Sequence, residues 1–473
     1  MSTAPATRSI AFAVRAMRGT LLQPPSSDGT FAGAAYDSRL LQARQLFFAL
    51  PGERVDGFDF AAQAVASGAA GLVVARSRGL PAGVGGAAVI AVDDPRRALG
   101  DLARAVRAEF RGLVVGVTGS NGKTTTKELC AAALAPMGAV LRTPGSLNTD
   151  VGLPVTVLSA TGDEAAWVLE MAMRARGEIA YLAELARPAI GIITNVGAAH
   201  LETLGSIEEV ALAKGELFAG LGPNGIAVFP YGDPLIAGQA APVAAARRIT
   251  FGERGADVRV LDFIPNGSAG TVVRFSVRDS PVVVRLPLSG AHNARYAAAA
   301  LAASFAAGVP ALAAARSLES VTLPPHRSAA LPVGGRTILD DCYNANPNSM
   351  RAALAALMTA AGAGRRFAIL GDMLEVGAGA DAAHRALGRV AGVELAGLAA
   401  VGQFAQPMIE EARAAGLDSA RAFAAPSPEA AAEMVAGWTS PGDWILVKAS
   451  RGLRLERAVD ALQSRLNSVE APR

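Results

Sequence analysis

Cysteine is nearly absent. Its two copies, Cys130 and Cys342, lie far apart and neither belongs to a Cys-x-x-Cys pair, which argues against a disulfide framework or a zinc site and fits the reduced cytoplasm. An excess of one charge is lacking as well. With 44 Lys and Arg against 41 Asp and Glu, a net +3, neither nucleic acid nor an anionic membrane is expected as a partner. No unbroken apolar run reaches membrane-spanning length. The most apolar span, Tyr296 to Ala315, is mostly alanine and is interrupted by Gly308 and Pro310, so it reads as a buried helix, a turn and the start of a second helix. The N-terminus has no basic segment leading into an apolar core and a small-residue cleavage site, so no signal peptide is expected. From residue 326 onward no glycines stand in the order Gly-x-Gly-x-x-Gly, which speaks against a dehydrogenase.

What is present is organised around Val114 to Thr126, where β-branched residues feed a glycine-rich turn that opens into a helix-compatible run from Lys123 to Leu134. That layout is an anion cradle. Gly119 and Gly122 let backbone N–H groups close on phosphate, Lys123 reaches the β- and γ-phosphates, and the Thr124 hydroxyl can ligate Mg²⁺. The strict spacing wants a further glycine where Val117 stands. Gly-x-x-Gly-x-x-Gly-Lys-Thr-Thr remains, and it points to ATP.

At 473 residues the chain exceeds one ordinary core, and about three domains are expected. Residues 1–110 read as a small α/β unit, with strands at Leu46 to Leu50, Ala70 to Ala75 and Val89 to Val92. Asp94-Pro95 caps a helix there that runs to about Phe110. Residues 111–325 form a parallel sheet around the cradle. Arg248 to Phe251, Val258 to Phe263, Thr271 to Val277 and Val282 to Leu286 are expected as its antiparallel flank. Residues 326–473 alternate strand and helix, which predicts a Rossmann-like parallel sheet. The expected fold class is therefore α/β with three domains.

Several residues stand where chemistry is expected. Glu170 ends a buried strand near the cradle, a natural place for a Mg²⁺ ligand, although a lone carboxylate decides nothing. His200 sits in a loop at a strand's carboxyl end, the edge where open parallel sheets bind ligands, and reads as a second metal ligand rather than merely a loop residue, the alternative that stays open. Ser206 and Glu209 make a capping box, and Lys214 falls on the apolar stripe of the helix that follows, either snorkelling or held in a site with its amine pKa lowered by burial. Asp37-Ser38-Arg39 reads first as a solvated turn. Asn293 suits helix capping as well as adenine.

Together these stretches resemble the Mur ligases over nearly the full length. The resemblance rests on Asp37-Ser38-Arg39 with Leu46 to Leu50, Gly116 to Glu128, Glu170-Met171, Asn195 to Glu202, Ala213-Lys214-Gly215-Glu216, Asp340 to Pro347, and Val447 to Arg451. It is strongest to the branch that joins D-alanyl-D-alanine to a UDP-N-acetylmuramoyl tripeptide in peptidoglycan precursor synthesis, using ATP and Mg²⁺. The Asp-Asn-Pro-Arg stretch of the branch that adds the third amino acid is nowhere in the chain. The resemblance implies that residues 1–110 bind the UDP substrate, 111–325 bind ATP, and 326–473 close over ATP and bind the dipeptide. It assigns nucleotide contacts to Gly119, Asn121, Gly122, Lys123, Thr124 and Thr125, with Asn293, Arg327 and Asp341 on the adenine and ribose side. Mg²⁺ falls to Thr124, Glu170, His200 and Lys214, the last carried as a carbamate. Lys123, His200 and Lys214 are the catalytic set. Ser38 and Arg39 hold the uridine nucleotide, Asn344, Asn346 and Arg451 close over the incoming amine, and Asn148 is a further substrate contact. A cytoplasmic monomer with no membrane partner is expected. Three places depart from the family pattern: Tyr296 ends the usual His-Asn-x-x-Asn, Phe58 ends Asp-Gly-His, and Ala449 stands in Lys-Gly-Ser-Arg.

Overall fold

Runs of β-branched and aromatic residues become strands where both faces can be covered, and here they gather into three large sheets, beside a two-stranded ribbon of Arg8–Ser9 and Thr30–Phe31. The structure, a computed structural model, describes residues 4–26, 28–52, 55–197, 201–360 and 362–468. No helix among them is long and apolar enough to cross a membrane.

The first sheet holds β1 (Thr20–Gln23), β2 (Ala34–Ala35), β3 (Leu46–Phe48), β4 (Gly71–Ala75) and β5 (Ala88–Val92), in the order β1-β5-β4-β3-β2. All pairs are parallel except β1 with β5. The Asp94 carboxylate accepts from the N–H groups of Arg96 and Arg97 and Pro95 takes the first turn, so α1 (Pro95–Glu109) starts where the sequence says it should.

The second sheet has nine strands. Along the chain come β6 (Leu113–Thr118), α2 (Lys123–Leu134), β7 (Val140–Arg142), β8 (Ala166–Glu170), β9 (Ile190–Ile193), α3 (Ile207–Ala219), β10 (Ile226–Pro230), β11 (Arg248–Gly252), β12 (Val258–Pro265), β13 (Thr271–Val277), β14 (Ser280–Leu286) and α4 (Ala291–Ala306). The spatial order is β14-β13-β12-β11-β10-β9-β6-β8-β7. The antiparallel flank is narrower than the sequence suggested. β11 pairs parallel with β10 because the helix Pro234–Ala240 carries the chain back between them, and antiparallel pairing starts only between β12 and β13. Strand order reverses around β6, with β8 on one side and β9 on the other. Glu170 lies opposite Val117 and Ile193 opposite Thr118, so the carboxyl ends of all three strands reach one edge, the switch point where such sheets bind ligands.

The third sheet holds β15 (Ala329–Val333), β16 (Arg336–Asp340), β17 (Arg366–Gly371), β18 (Gly397–Val401), β19 (Ala422–Ala425) and β20 (Trp444–Lys448), with α5 (Pro347–Thr359) after β16. Its order is β15-β16-β20-β17-β18-β19, parallel apart from the β15–β16 hairpin.

Alternation along β6 and β8 divides the core. Val115, Val117 and Val168 pack with α2 and α4. Val114, Trp167 and Leu169 face the other way, into a core that runs through Leu99, Leu102 and Val106 of α1 to Phe48, Val73 and Ile90 of the first sheet. Helix α1 thus fastens the first sheet to the second, and Phe110 at its end stacks on Trp167 with centroids 3.9 Å apart. In α3 the Ser206 hydroxyl accepts from the Glu209 N–H at 3.2 Å, while the Glu209 carboxylate turns to Arg176 at 3.3 Å; Ile207 is exposed. Leu99→Ala should lower unfolding stability by about 2–5 kcal/mol, since Leu99 is fully buried between the two sheets. Guanidinium titration followed through Trp167 in a background lacking Trp438 and Trp444 checks this; a Trp167 transition that does not shift would refute the shared core.

Candidate active site

Two glycines shape the cradle. Gly122 has φ +75°, and a Cβ there would lie 2.1 Å from Cζ of Tyr296; a Cβ on Gly119 would lie 1.8 Å from Thr194 Oγ1. Neither position has room for a side chain. The turn is then clamped from β9: Asn121 N–H donates to Asn195 Oδ1 at 2.9 Å, and the Asn121 carbonyl accepts from Asn195 Nδ2 at 3.0 Å and Thr194 Oγ1 at 2.6 Å. Lys123 folds back over the loop, its Nζ 2.8 Å from the Gly119 carbonyl. Burial lowers the pKa of this ammonium, with Glu170 opposing and Arg327 assisting.

Glu170 is 1% exposed. Its Oε1 accepts from Asn148 Nδ2 at 2.7 Å, whereas Oε2 has no hydrogen-bond partner among the described residues. A buried anionic oxygen left without a donor is costly, so this atom calls for a cation. Lys127 Nζ, 4.0 Å away, is committed elsewhere, to the Thr143 carbonyl at 2.6 Å and Glu128 at 2.9 Å. Lys127 escaped the sequence reading. The available signal was its place on α2, four residues beyond Lys123 and three before the apolar Cys130, which puts a charged residue on the buried side.

Lys214 is 2% exposed, and burial first, then the nearby Lys123, hold its amine pKa well below the usual lysine range. His200 lies outside the described residues.

From the third sheet, Asp341 Oδ2 accepts from Lys448 Nζ at 2.6 Å and Oδ1 from the Ser328 N–H at 3.1 Å. The guanidinium groups of Arg327 and Arg451 lie over the Tyr343 ring, 3.9 and 5.0 Å from its centroid, and its hydroxyl meets Ser146 Oγ at 2.5 Å. Asn344 Oδ1 accepts from the Ala345 N–H. Asn346 caps α5 by accepting from the Ser349 N–H, and its Nδ2 donates to Asn121 Oδ1 at 2.5 Å, so the third sheet touches the phosphate loop directly. Asn293, 1% exposed, does not cap α4: its Nδ2 donates to the Ser289 carbonyl at 2.8 Å and its Oδ1 has no hydrogen-bond partner among the described residues. Beside it, burial drives the His292 pKa down to about 4 and the Tyr296 hydroxyl up to about 12. At the opposite end Arg39 is exposed and ion-paired with Asp37 at 2.6 Å.

These groups wall a single cavity of about 1770 Å³. It brings together Ser38 and Arg39 from the first sheet, Asn121 to Thr125 with Asn148, Glu170 and Asn293 from the second, and Arg327, Asp341, Asn344 and Asn346 from the third. Gly119, Lys214 and Arg451 lie behind the wall. Gly119 shapes the turn, and Arg451 acts on the wall through Tyr343. The arrangement can hold a polyphosphate, a hard cation and a long polar substrate at once.

Comparison with known proteins agrees along the whole chain. The family model described as Mur ligase family, catalytic domain, matches residues 30–107, the Mur ligase middle domain matches 117–304, and the Mur ligase glutamate ligase domain matches 326–451. The UDP-N-acetylmuramoyl-tripeptide:D-alanyl-D-alanine ligase of Bacillus subtilis is 35% identical over 453 residues, covering 95% of this chain and 97% of that one. The ligase of the same name from Mycobacterium tuberculosis is 38% identical over 472 residues, with 90% and 91% covered. Among solved structures, MurF from Acinetobacter baumannii superposes with a TM-score of 0.86 at 29% identity, covering 98% of this chain and 100% of that one. MurF from Thermotoga maritima, in complex with ADP, gives 0.80 at 30% identity, with 93% and 98% covered. The chain belongs to the Mur ligase family.

Proposed function

We propose that this protein is the ATP-dependent ligase that joins D-alanyl-D-alanine to UDP-N-acetylmuramoyl tripeptide in the cytoplasm, forming ADP and phosphate. The observation that carries this reading is the single cavity in which a phosphate cradle, an unpartnered buried carboxylate oxygen and the loops leaving the third sheet face one another.

Residues 1–110 hold the UDP end, with Arg39 exchanging Asp37 for a phosphate and Ser38 beside it. Residues 111–325 hold ATP: the N–H groups of the cradle and Lys123 take the phosphates, with Asn121, Gly122, Thr124 and Thr125 around them, and Asn293 Oδ1 accepts from the adenine amine. Arg327 and Asp341 serve the ribose side. Residues 326–473 receive the dipeptide at Asn344 and Asn346, with Asn148 as a further contact and Arg451 acting through Tyr343. The donor set suits Mg²⁺: Glu170 Oε2 has no hydrogen-bond partner among the described residues and the Thr124 hydroxyl stands at the head of α2, and to this set we assign His200, outside the described residues, and a carbamate on Lys214. Bound there, the ion neutralises phosphate charge.

The chemistry then runs in two steps. The terminal carboxylate of the tripeptide attacks the γ-phosphorus of ATP, ADP leaves, and an acyl phosphate remains. The dipeptide's neutral amine attacks the acyl carbon, loses a proton, and the tetrahedral adduct expels phosphate. Lys123 and the cradle N–H groups stabilise the charge on the transferring phosphoryl group. Behind the wall, burial and then the nearby Lys123 lower the Lys214 amine pKa well below the usual lysine range, which favours the neutral amine. A neutral amine adds CO₂ and sheds a proton, giving a carbamate whose two oxygens are hard ligands.

Three outcomes are expected. ADP release should require the tripeptide nucleotide together with D-alanyl-D-alanine; equal turnover with free D-alanine would overturn the dipeptide assignment. Lys214→Ala should fold yet lose nearly all activity, with partial rescue by short carboxylic acids, while Lys214→Arg stays inactive. Near-normal turnover of Lys214→Ala in CO₂-depleted buffer would remove the carbamate from the mechanism. Gly122→Ala should weaken ATP at least about tenfold by calorimetry, because its Cβ collides with the Tyr296 ring; unchanged affinity would count against ATP in this cradle.

A further inference from the structure

We propose that His326, Asp340 and Cys342 form a second metal site, built for a zinc-like transition ion and separate from the Glu170 cavity. One ligand atom from each residue lies within 4.8 Å of the other two. His326 Nδ1 is 2.8 Å from Asp340 Oδ2, and Cys342 Sγ is 3.1 Å from Asp340 Oδ1. Ligand atoms around a tetrahedral zinc ion stand roughly 3.3–3.8 Å apart, given metal–ligand bonds of about 2.0–2.3 Å, so small side-chain shifts admit the ion. Imidazole, carboxylate and thiolate are the donors that favour a borderline-soft cation over Mg²⁺.

The surroundings fit. Asp340 and Cys342 are 3% and 2% exposed, whereas a third of the His326 side chain is accessible, which leaves a way in and a fourth position for solvent. The carboxylates of Asp340, Glu456 and Asp341 all stand close enough to act on Cys342, so a cation entering here meets negative charge. On binding, the thiol proton leaves for solvent and the imidazole proton moves from Nδ1 to Nε2. One thiolate and one carboxylate then balance the divalent charge, and the buried site becomes neutral. Position matters as well. His326 belongs to the connection into the third sheet, its carbonyl accepts from the Tyr343 N–H at 3.1 Å, and its neighbour Arg327 and Cys342's neighbour Asp341 both line the cavity. An ion here ties that connection to the end of β16.

Titration of the full-length protein with Co²⁺ tests the site, because a thiolate on cobalt gives a near-ultraviolet charge-transfer band. One Co²⁺ per chain is expected, with the band displaced by Zn²⁺ and not by Mg²⁺. Cys342→Ser should abolish the band, Cys130→Ser should leave it, and His326→Asn, whose side chain tolerates the φ of +65°, should weaken binding at least about tenfold. Circular dichroism and melting verify folding, and Asp340→Asn replaces Cys342→Ser should that variant not fold. Absence of the band in wild type, a band that survives Cys342→Ser, or one lost in Cys130→Ser would overturn the proposal.

Discussion

The Asn195 amide, closed on both backbone groups of Asn121, is the interaction on which the rest of the site depends. A glycine-rich turn is entropically loose, and its N–H groups make an anion site only when something holds them in register. Here β9 does so from one side through Asn195 and Thr194, and Tyr296 fills the space over Gly122 from the other. Because Asn121 also accepts from Asn346, the same turn fixes where the third sheet's first loop meets the second.

Burial supplies the second constraint. Glu170, Lys127 and Lys214 are charged residues within the core of the second sheet, and each answers the cost of desolvation differently. Lys127 pairs with Glu128 and donates to carbonyl groups. Lys214 shifts toward the neutral amine. Glu170 keeps one oxygen held by Asn148 and one that no hydrogen bond reaches among the described residues. A core that keeps an unpartnered carboxylate oxygen and a depressed lysine is configured for ligands, because for stability alone apolar residues of the same volume serve as well.

Local pattern carried far in this chain. The cradle, the caps at Asp94 and Ser206, the strand and helix alternation after residue 326 and the position of Lys214 on a buried face were all legible, since each follows from a spacing of a few residues. Three features were not. The parallel pairing of β11 depends on a crossover helix outside the strand itself. The second half of the Ser206 box was lost to Arg176, a residue 33 positions away from Glu209. Lys127 looked like an ordinary helix residue until β8 brought Glu170 to its side.

The sequence by itself determined the α/β class, the phosphate cradle and the residue types around it, because hydrophobic period and glycine placement act within a few residues of chain. Only the tertiary structure decided which of those residues share a cavity, which oxygen of Glu170 is left without a partner, that Tyr296 covers Gly122, and that His326 meets Asp340 and Cys342. Those outcomes depend on contacts between segments tens to hundreds of residues apart. Sheet order and the packing of α1 and α4 set such contacts, and no local spacing encodes them.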